Sequence, residues 1–118
     1  GLSNETFDGL RNRLFQANRL EEQIQKNLFI ARSLIQRGFL TEPPYENAVE
    51  ALRSVQRLDS DNEEANLLLE EIAAKLASIA EMAWDAGLQL EAVKYINLAL
   101  ALDTERENWK RWKDEWER

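Results

Sequence analysis

Residues 48–63, AVEALRSVQRLDSDNE, align with residues 92–107, AVKYINLALALDTERE. In both segments the apolar residues recur at spacings of three and four, which is typical of an amphipathic helix, and both helices end at a Leu-Asp pair. The segments therefore predict two copies of one helical unit. Five pairs are identical, Ala48/Ala92, Val49/Val93, Leu58/Leu102, Asp59/Asp103 and Glu63/Glu107, and three are close substitutions, Leu52/Ile96, Val55/Ala99 and Ser60/Thr104.

The same short pattern follows each Leu-Asp pair. Ser60–Glu63 (SDNE) and Thr104–Glu107 (TERE) have a hydroxyl residue followed three positions later by glutamate. This is the pattern of a capping box, in which the hydroxyl and the glutamate each accept a hydrogen bond from a free amide at a helix start. New helices are therefore predicted to begin at about 61 and 105.

A glycine precedes each copy. Gly38 follows NLFIARSLIQR and Gly87 follows LASIAEMAWDA, both helical in pattern. Glycine is the residue preferred where a helix ends in a left-handed turn. Each unit is thus predicted to be a helix, a glycine turn, a second helix and a Leu-Asp ending, and such pairs bury their apolar faces by stacking as a solenoid.

These residues resemble the second half of a tetratricopeptide repeat, over about residues 27–104. The resemblance implies an all-α fold of about five helices, with antiparallel pairs stacked as a short right-handed solenoid. It also implies a non-catalytic scaffold that binds a peptide or partner helix in a groove. The matching residues are Gly87-Leu88-Gln89-Leu90-Glu91-Ala92-Val93, then Ile96, Ala99, Leu100, Leu102 and Asp103.

The interval between Asp59 and Gly87 is longer than in that family by about ten residues, or close to three helical turns. An extended helix is predicted there. The whole chain is interpreted as one helical domain: a long first helix over 1–37, the second helix of the first repeat over 38–60, a second pair over 61–103 and a capping helix over 104–118.

The long first helix carries a heptad pattern. From residue 7 to residue 35 apolar residues alternate at spacings of three and four, with Glu21 in one of the slots. Such a pattern can form a coiled-coil seam, so Phe7, Leu10, Leu14 and Ala17 are candidates for a homo-oligomer seam. In the other interpretation, residues 24–35 pack on the following helices and residues 7–17 extend the same core.

Three of the four tryptophans lie on one stripe near the end, in WKRWKDEW at 109–116. They are predicted to cap the solenoid by packing on the helices at 62–86 and 88–102, and the alternative is an exposed docking surface. Tyr45 is interpreted as pinning its loop to the core, or as a ligand contact. The candidate partner-binding residues are Trp109, Trp112, Trp116, Tyr45, Phe39, Glu70, Glu81 and Asp85.

Composition argues against catalysis. The chain has no cysteine and no histidine, and therefore no thiol nucleophile and no imidazole base. Asp59, Asp61, Glu63 and Glu70 have a calcium-loop spacing, but Glu64 occupies the position that requires glycine. No enzyme activity, cofactor or metal is predicted.

The net charge of −7 is concentrated in residues 41–103, which repel nucleic acid and anionic lipid. A protein or peptide partner, basic in character, is expected, with no nucleic acid and no membrane contact by this segment. The turn Leu40-Thr41-Glu42-Pro43 with Asn47-Ala48 resembles turns in repeat segments of bacterial envelope proteins. That resemblance implies a piece of a larger bacterial membrane-anchored protein, periplasmic or envelope-associated, with the cytoplasm as the alternative.

Overall fold

The computed structural model describes the backbone from residue 2 and the side chains from residue 7 onward. Within that range the secondary structure consists of five α-helices. No β-strand occurs within that range. The predictions of an all-α fold, about five helices and a long first helix are confirmed. The helices are α1 (Leu2–Gln36), α2 (Ala48–Leu58), α3 (Glu63–Asp85), α4 (Gln89–Leu102) and α5 (Glu107–Trp116).

The chain divides into two compact units. Unit 1 (Gly1–Asn62) contains α1 and α2, which pack against each other. Unit 2 (Glu63–Arg118) contains α3, α4 and α5, in which α4 packs on both α3 and α5. Each unit is therefore built on a pair of consecutive helices.

Within the described part of α1, side-chain burial is confined to the second half of the helix. All side chains from Leu10 to Gln23 are exposed, whereas Ile24, Leu28 and Ala31 are buried. The cause is helix length, because the 11 residues of α2 span about 16 Å and the 35 residues of α1 span about 52 Å. The prediction that residues 7–17 extend the core is therefore wrong. The buried side chains of α2 are Ala48, Ala51, Leu52 and Val55.

Both predicted glycine turns are present with the same geometry. Gly38 and Gly87 each have φ +81°. The amide after each glycine donates a hydrogen bond across the helix end, from Phe39 to the carbonyl of Leu34 and from Leu88 to that of Ala83, both at 2.9 Å. The glycine amides donate to Ile35 and Trp84, both at 3.0 Å. These bonds define Schellman motifs, which require a left-handed residue at the glycine position.

The second helix of each pair uses corresponding residues for its core. Ala48, Leu52 and Val55 of α2 are completely buried, and so are their aligned residues in α4. The aspartate after each helix is its C-cap, and its amide donates to the carbonyl four positions earlier, from Asp59 to Val55 at 2.8 Å and from Asp103 to Ala99 at 3.0 Å. The aligned residues of α4 are Ala92, Ile96 and Ala99.

The helices that follow the Leu-Asp pairs begin at Glu63 and Glu107, later than predicted. Before α5, the carboxylate of Asp103 accepts from the amide of Glu105 at 3.4 Å and from Nε of Arg106 at 3.1 Å. These bonds stabilise a turn over the residues that the capping box would need. The N-cap of α5 is Arg106 and it makes no side-chain capping bond, so the predicted capping box at Thr104–Glu107 is wrong.

Candidate protein-interaction surfaces

The heptad residues at the start of α1 form an exposed apolar stripe. We call Phe7, Leu10, Leu14 and Ala17 the α1 seam. The three large side chains are 63%, 53% and 65% exposed, and Ala17 is also exposed. The same heptad pattern is buried further along the helix, where Leu28 is 1% exposed. One amphipathic helix thus has its apolar face covered in one half and open to solvent in the other.

Charged groups lie directly beside the α1 seam. The guanidinium of Arg11 is 5.6 Å from the centre of the Phe7 ring, and its Nη2 is 3.8 Å from a carboxylate oxygen of Asp8. Both members of that ion pair are about two thirds exposed, so it adds little to stability. On another face of the same helix, away from the seam, Arg19 stacks similarly over Phe15, at 5.9 Å. The exposed end of α1 therefore combines aromatic rings with guanidinium groups.

An open groove of about 540 Å³ lies between α1, α2 and the loop that joins them. Ile30 and Leu34 contribute an apolar floor, and Glu46, Glu50 and Arg57 contribute charges. Its mixed charges do not indicate one class of ligand. The remaining residues along the groove are Asn27, Tyr45, Asn47, Ala51 and Ser54.

Tyr45 lies at the groove but does not pin the loop. Its side chain is 89% exposed and its backbone has φ +67°, in the left-handed region. The loop is instead fixed by Leu40, which is buried, and by Asn47. The pinning interpretation of Tyr45 is therefore wrong. Phe39, the other predicted aromatic contact, is partly exposed beneath the guanidinium of Arg37, 4.9 Å from the ring centre.

Asn47 satisfies the polar groups of the loop. Its side-chain nitrogen donates to the carbonyls of Thr41 at 3.0 Å and Pro43 at 2.9 Å, and its side-chain oxygen accepts from the amide of Glu50 at 2.9 Å. The residue is only 4% exposed. It acts as the N-cap of α2 and as the anchor of the loop beside the groove.

The tryptophans of α5 pack inside unit 2. Trp109 is 4% exposed, and Trp112 and Trp116 are half-buried. The Trp116 ring stacks between Trp84 of α3 at 5.0 Å and Trp112 at 5.6 Å, with interplanar angles of 12° and 17°. Three indoles thus form a continuous stack that joins α3 to α5. Burial therefore leaves Trp109 almost no free area for a partner, whereas Trp112 and Trp116 are still partly accessible.

Charged groups make local contacts at both ends of α5. The guanidinium of Arg106 lies 4.5 Å from the centre of the Trp109 ring. Nζ of Lys113 donates to both carboxylate oxygens of Glu117, at 2.8 and 3.0 Å, and this hydrogen bond lowers the pKa of Glu117. These contacts give the last helix local support.

The predicted acidic contacts Glu70, Glu81 and Asp85 are all exposed on α3. Two exposed leucines at the turn into α4, Leu88 and Leu90, were not singled out as candidates. Their position just after the turn glycine could have identified them in the sequence, because few neighbouring residues can cover side chains at a turn. Leu90 is 89% exposed, and both leucines line a shallow depression formed by residues 87–91.

Within residues 7–118, no three carboxylates lie close enough together to hold a metal ion. None of the helices described has the length and hydropathy needed to cross a membrane. Family models, curated protein sequences and solved structures yield no match to this chain. Among the surfaces described, the α1 seam presents three large exposed apolar side chains in one heptad register.

Proposed function

We propose that this chain is a non-catalytic protein-association module that binds a partner helix along the α1 seam. The proposal rests on a change in side-chain exposure along one heptad pattern. Leu28 is 1% exposed, whereas Leu14, at the same heptad position, is 65% exposed. An apolar face of this kind is stabilised when another helix covers it.

The helical state of the seam supports the same proposal. A helical segment in which every side chain is exposed gains nothing from packing, and isolated helices of this length are marginal in water. Residues 10–23 are such a segment. A partner helix would supply the missing contacts, so binding and stabilisation of the helix are coupled.

We also propose that the two helix pairs belong to a tetratricopeptide-like right-handed solenoid and that the chain acts as a scaffold within a larger bacterial protein. The two Schellman turns and the aligned core residues of α2 and α4 support the repeated helix pair. Under this proposal the exposed acids Glu70, Glu81 and Asp85 remain candidates for a second, basic partner.

Pull-down with three forms of the chain tests the proposal. The forms are the wild type, the variant L10S/L14S and a truncation that ends at Asp103. We expect L10S/L14S to lose the partners that the wild type retains. Equal recovery by the wild type and L10S/L14S, with loss in the truncated form, would instead assign the binding surface to the tryptophan helix.

The second candidate function is homo-oligomerisation through the same seam, which the exposed Phe7, Leu10 and Leu14 also favour. Light scattering of the isolated chain over a range of concentrations tests it. A molecular mass that stays at the monomer value throughout would rule out this function and leave the binding of another protein.

A further inference from the structure

The α1 seam has an arginine on each flank. With about 100° between successive residues of a helix, Arg11 lies about 40° beyond Phe7 on one side and Arg13 about 40° beyond Ala17 on the other. In heptad terms these are the two positions that flank a coiled-coil core and contact the partner. Both flanks of the seam are therefore positively charged.

An antiparallel pair formed by two copies of the chain would bring like charges together. When the seam is aligned for full overlap, Phe7 lies opposite Ala17 and Leu10 opposite Leu14 of the second copy. In that register each flanking position faces its own counterpart, so Arg11 lies beside Arg11 and Arg13 beside Arg13. Like charges at these positions are unfavourable, and the exposed 3.8 Å ion pair of Arg11 with Asp8 compensates for them only weakly.

A parallel pair formed by two copies has a different defect. Glu21 occupies the next core position after Ala17, so two carboxylates would face each other at the end of the seam. The flanking contact of Arg13 would be Asn18 of the second copy, which carries no charge. Neither orientation of a self-pair provides the arginines with an acidic counterpart.

We propose that the partner of the α1 seam is an amphipathic helix of another protein with acidic residues beside its apolar face. This inference rests on the proposed function. Leucine-sized side chains of that helix would cover Leu10 and Leu14, and its carboxylates would pair with Arg11 and Arg13 on either side. A guanidinium is suited to this role because it binds a carboxylate through two parallel hydrogen bonds.

Arg11 can exchange its present ion pair with Asp8 for one with a carboxylate of the partner helix. Its ion pair with Asp8 is 3.8 Å long and exposed on both sides, so replacing it costs little. Because the charges on the flanks remain partly in solvent, the attraction acts mainly on selectivity and on the rate of association, and it weakens as salt is added.

Titration calorimetry on the full chain with two synthetic helices tests the inference. Both peptides have about three heptads with leucine at the core positions; one has glutamate at all flanking positions and the other has lysine. We expect the wild type to bind the glutamate peptide at least about tenfold more tightly than the lysine peptide at low salt. The variant R11E/R13E should reverse this preference.

The matched control is R19E, which changes an arginine of the same helix about 120° from Phe7, away from the seam. It should leave the preference for the glutamate peptide unchanged, and a loss as large as in R11E/R13E would overturn the inference. Far-UV circular dichroism of the three proteins checks that α1 stays helical.

Other outcomes separate this inference from the proposed function. If L10S/L14S binds neither peptide while the wild type binds both equally, the seam binds helices without charge selection, so the inference is wrong and the function stands. If the wild type self-associates through the seam more tightly than it binds the glutamate peptide, a second copy is the partner and the inference is again wrong. If the wild type binds neither peptide, both are wrong.

Discussion

Asn47 is the residue on which the loop of unit 1 depends. We expect Asn47→Ala to lower the free energy of unfolding by about 2–3 kcal/mol, because it removes a helix cap and leaves two part-buried carbonyls without their donor. Asn47→Ser keeps an acceptor for the amide of Glu50 and should cost about half as much. Urea unfolding followed by far-UV circular dichroism measures both. Equal losses in the two variants would show that the cap contributes nothing.

Gly87 is required because of its left-handed backbone conformation, and not because a larger side chain would lack room. No heavy atom lies within 4 Å of a Cβ built there, yet φ is +81°. We expect Gly87→Ala to destabilise the chain by about 1–2 kcal/mol through left-handed backbone strain alone. Gly9→Ala is the matched control, because Gly9 lies inside α1 with equal space around it and alanine favours a helix there. A stabilising Gly87→Ala would contradict the Schellman turn.

At the scale of helices, the two halves of α1 are expected to respond differently to the same substitution. Leu28→Ala removes a fully buried side chain and should cost about 2–5 kcal/mol in urea unfolding. Leu14→Ala has the same chemistry at the same heptad position in the exposed half and should cost less than about 0.5 kcal/mol. A large loss for Leu14→Ala would mean that the seam is covered within the chain.

Helix α5 is expected to contribute to unit 2 mainly through Trp109. Trp109→Ala should cost about 3–5 kcal/mol, since this indole is almost fully buried. Trp112→Ala, which removes a half-buried indole at the end of the stack, should cost less than half of that. If Trp112→Ala lost more stability than Trp109→Ala in urea unfolding, indole stacking and not burial of Trp109 would be the main contact that stabilises α5.

At the scale of the whole molecule, excess negative charge should oppose folding. The net charge is −7, and unit 2 contains more of the excess than unit 1. We expect the urea midpoint to rise with moderate salt, because screening weakens repulsion between acids. A variant with Glu70 and Glu71, both exposed, replaced by glutamine should respond less. A midpoint that falls with salt would show that ion pairs such as Lys113–Glu117 outweigh the repulsion.

Features set by a few neighbouring residues could be predicted from the sequence. Gly38 and Gly87 end their helices as expected, because a left-handed turn strongly favours glycine wherever it occurs. Thr104–Glu107 failed as a capping box although its residues fit the pattern. The carboxylate of Asp103 competes for the same turn, and the pattern does not include that competitor.

Features that depend on the extent of a neighbouring helix could not be predicted in the same way. The heptad pattern marked Phe7 and Leu28 as equivalent, but only Leu28 lies within reach of the short α2. Tyr45 was interpreted as pinning its loop to the core or contacting a ligand, whereas its side chain is 89% exposed on a left-handed backbone. Periodicity identifies an apolar face, and tertiary geometry decides whether that face is covered.

The location of the four tryptophans makes the two units optically distinct. Trp84, Trp109, Trp112 and Trp116 all belong to unit 2, and unit 1 has none. Indole emission therefore reports on unit 2 alone, and the stacked rings at 5.0 and 5.6 Å are close enough for their excited states to couple. Loss of α5 should alter this emission, because it removes three of the four indoles and breaks the stack. The chain thus contains an intrinsic chromophore whose signal originates in one of its two units.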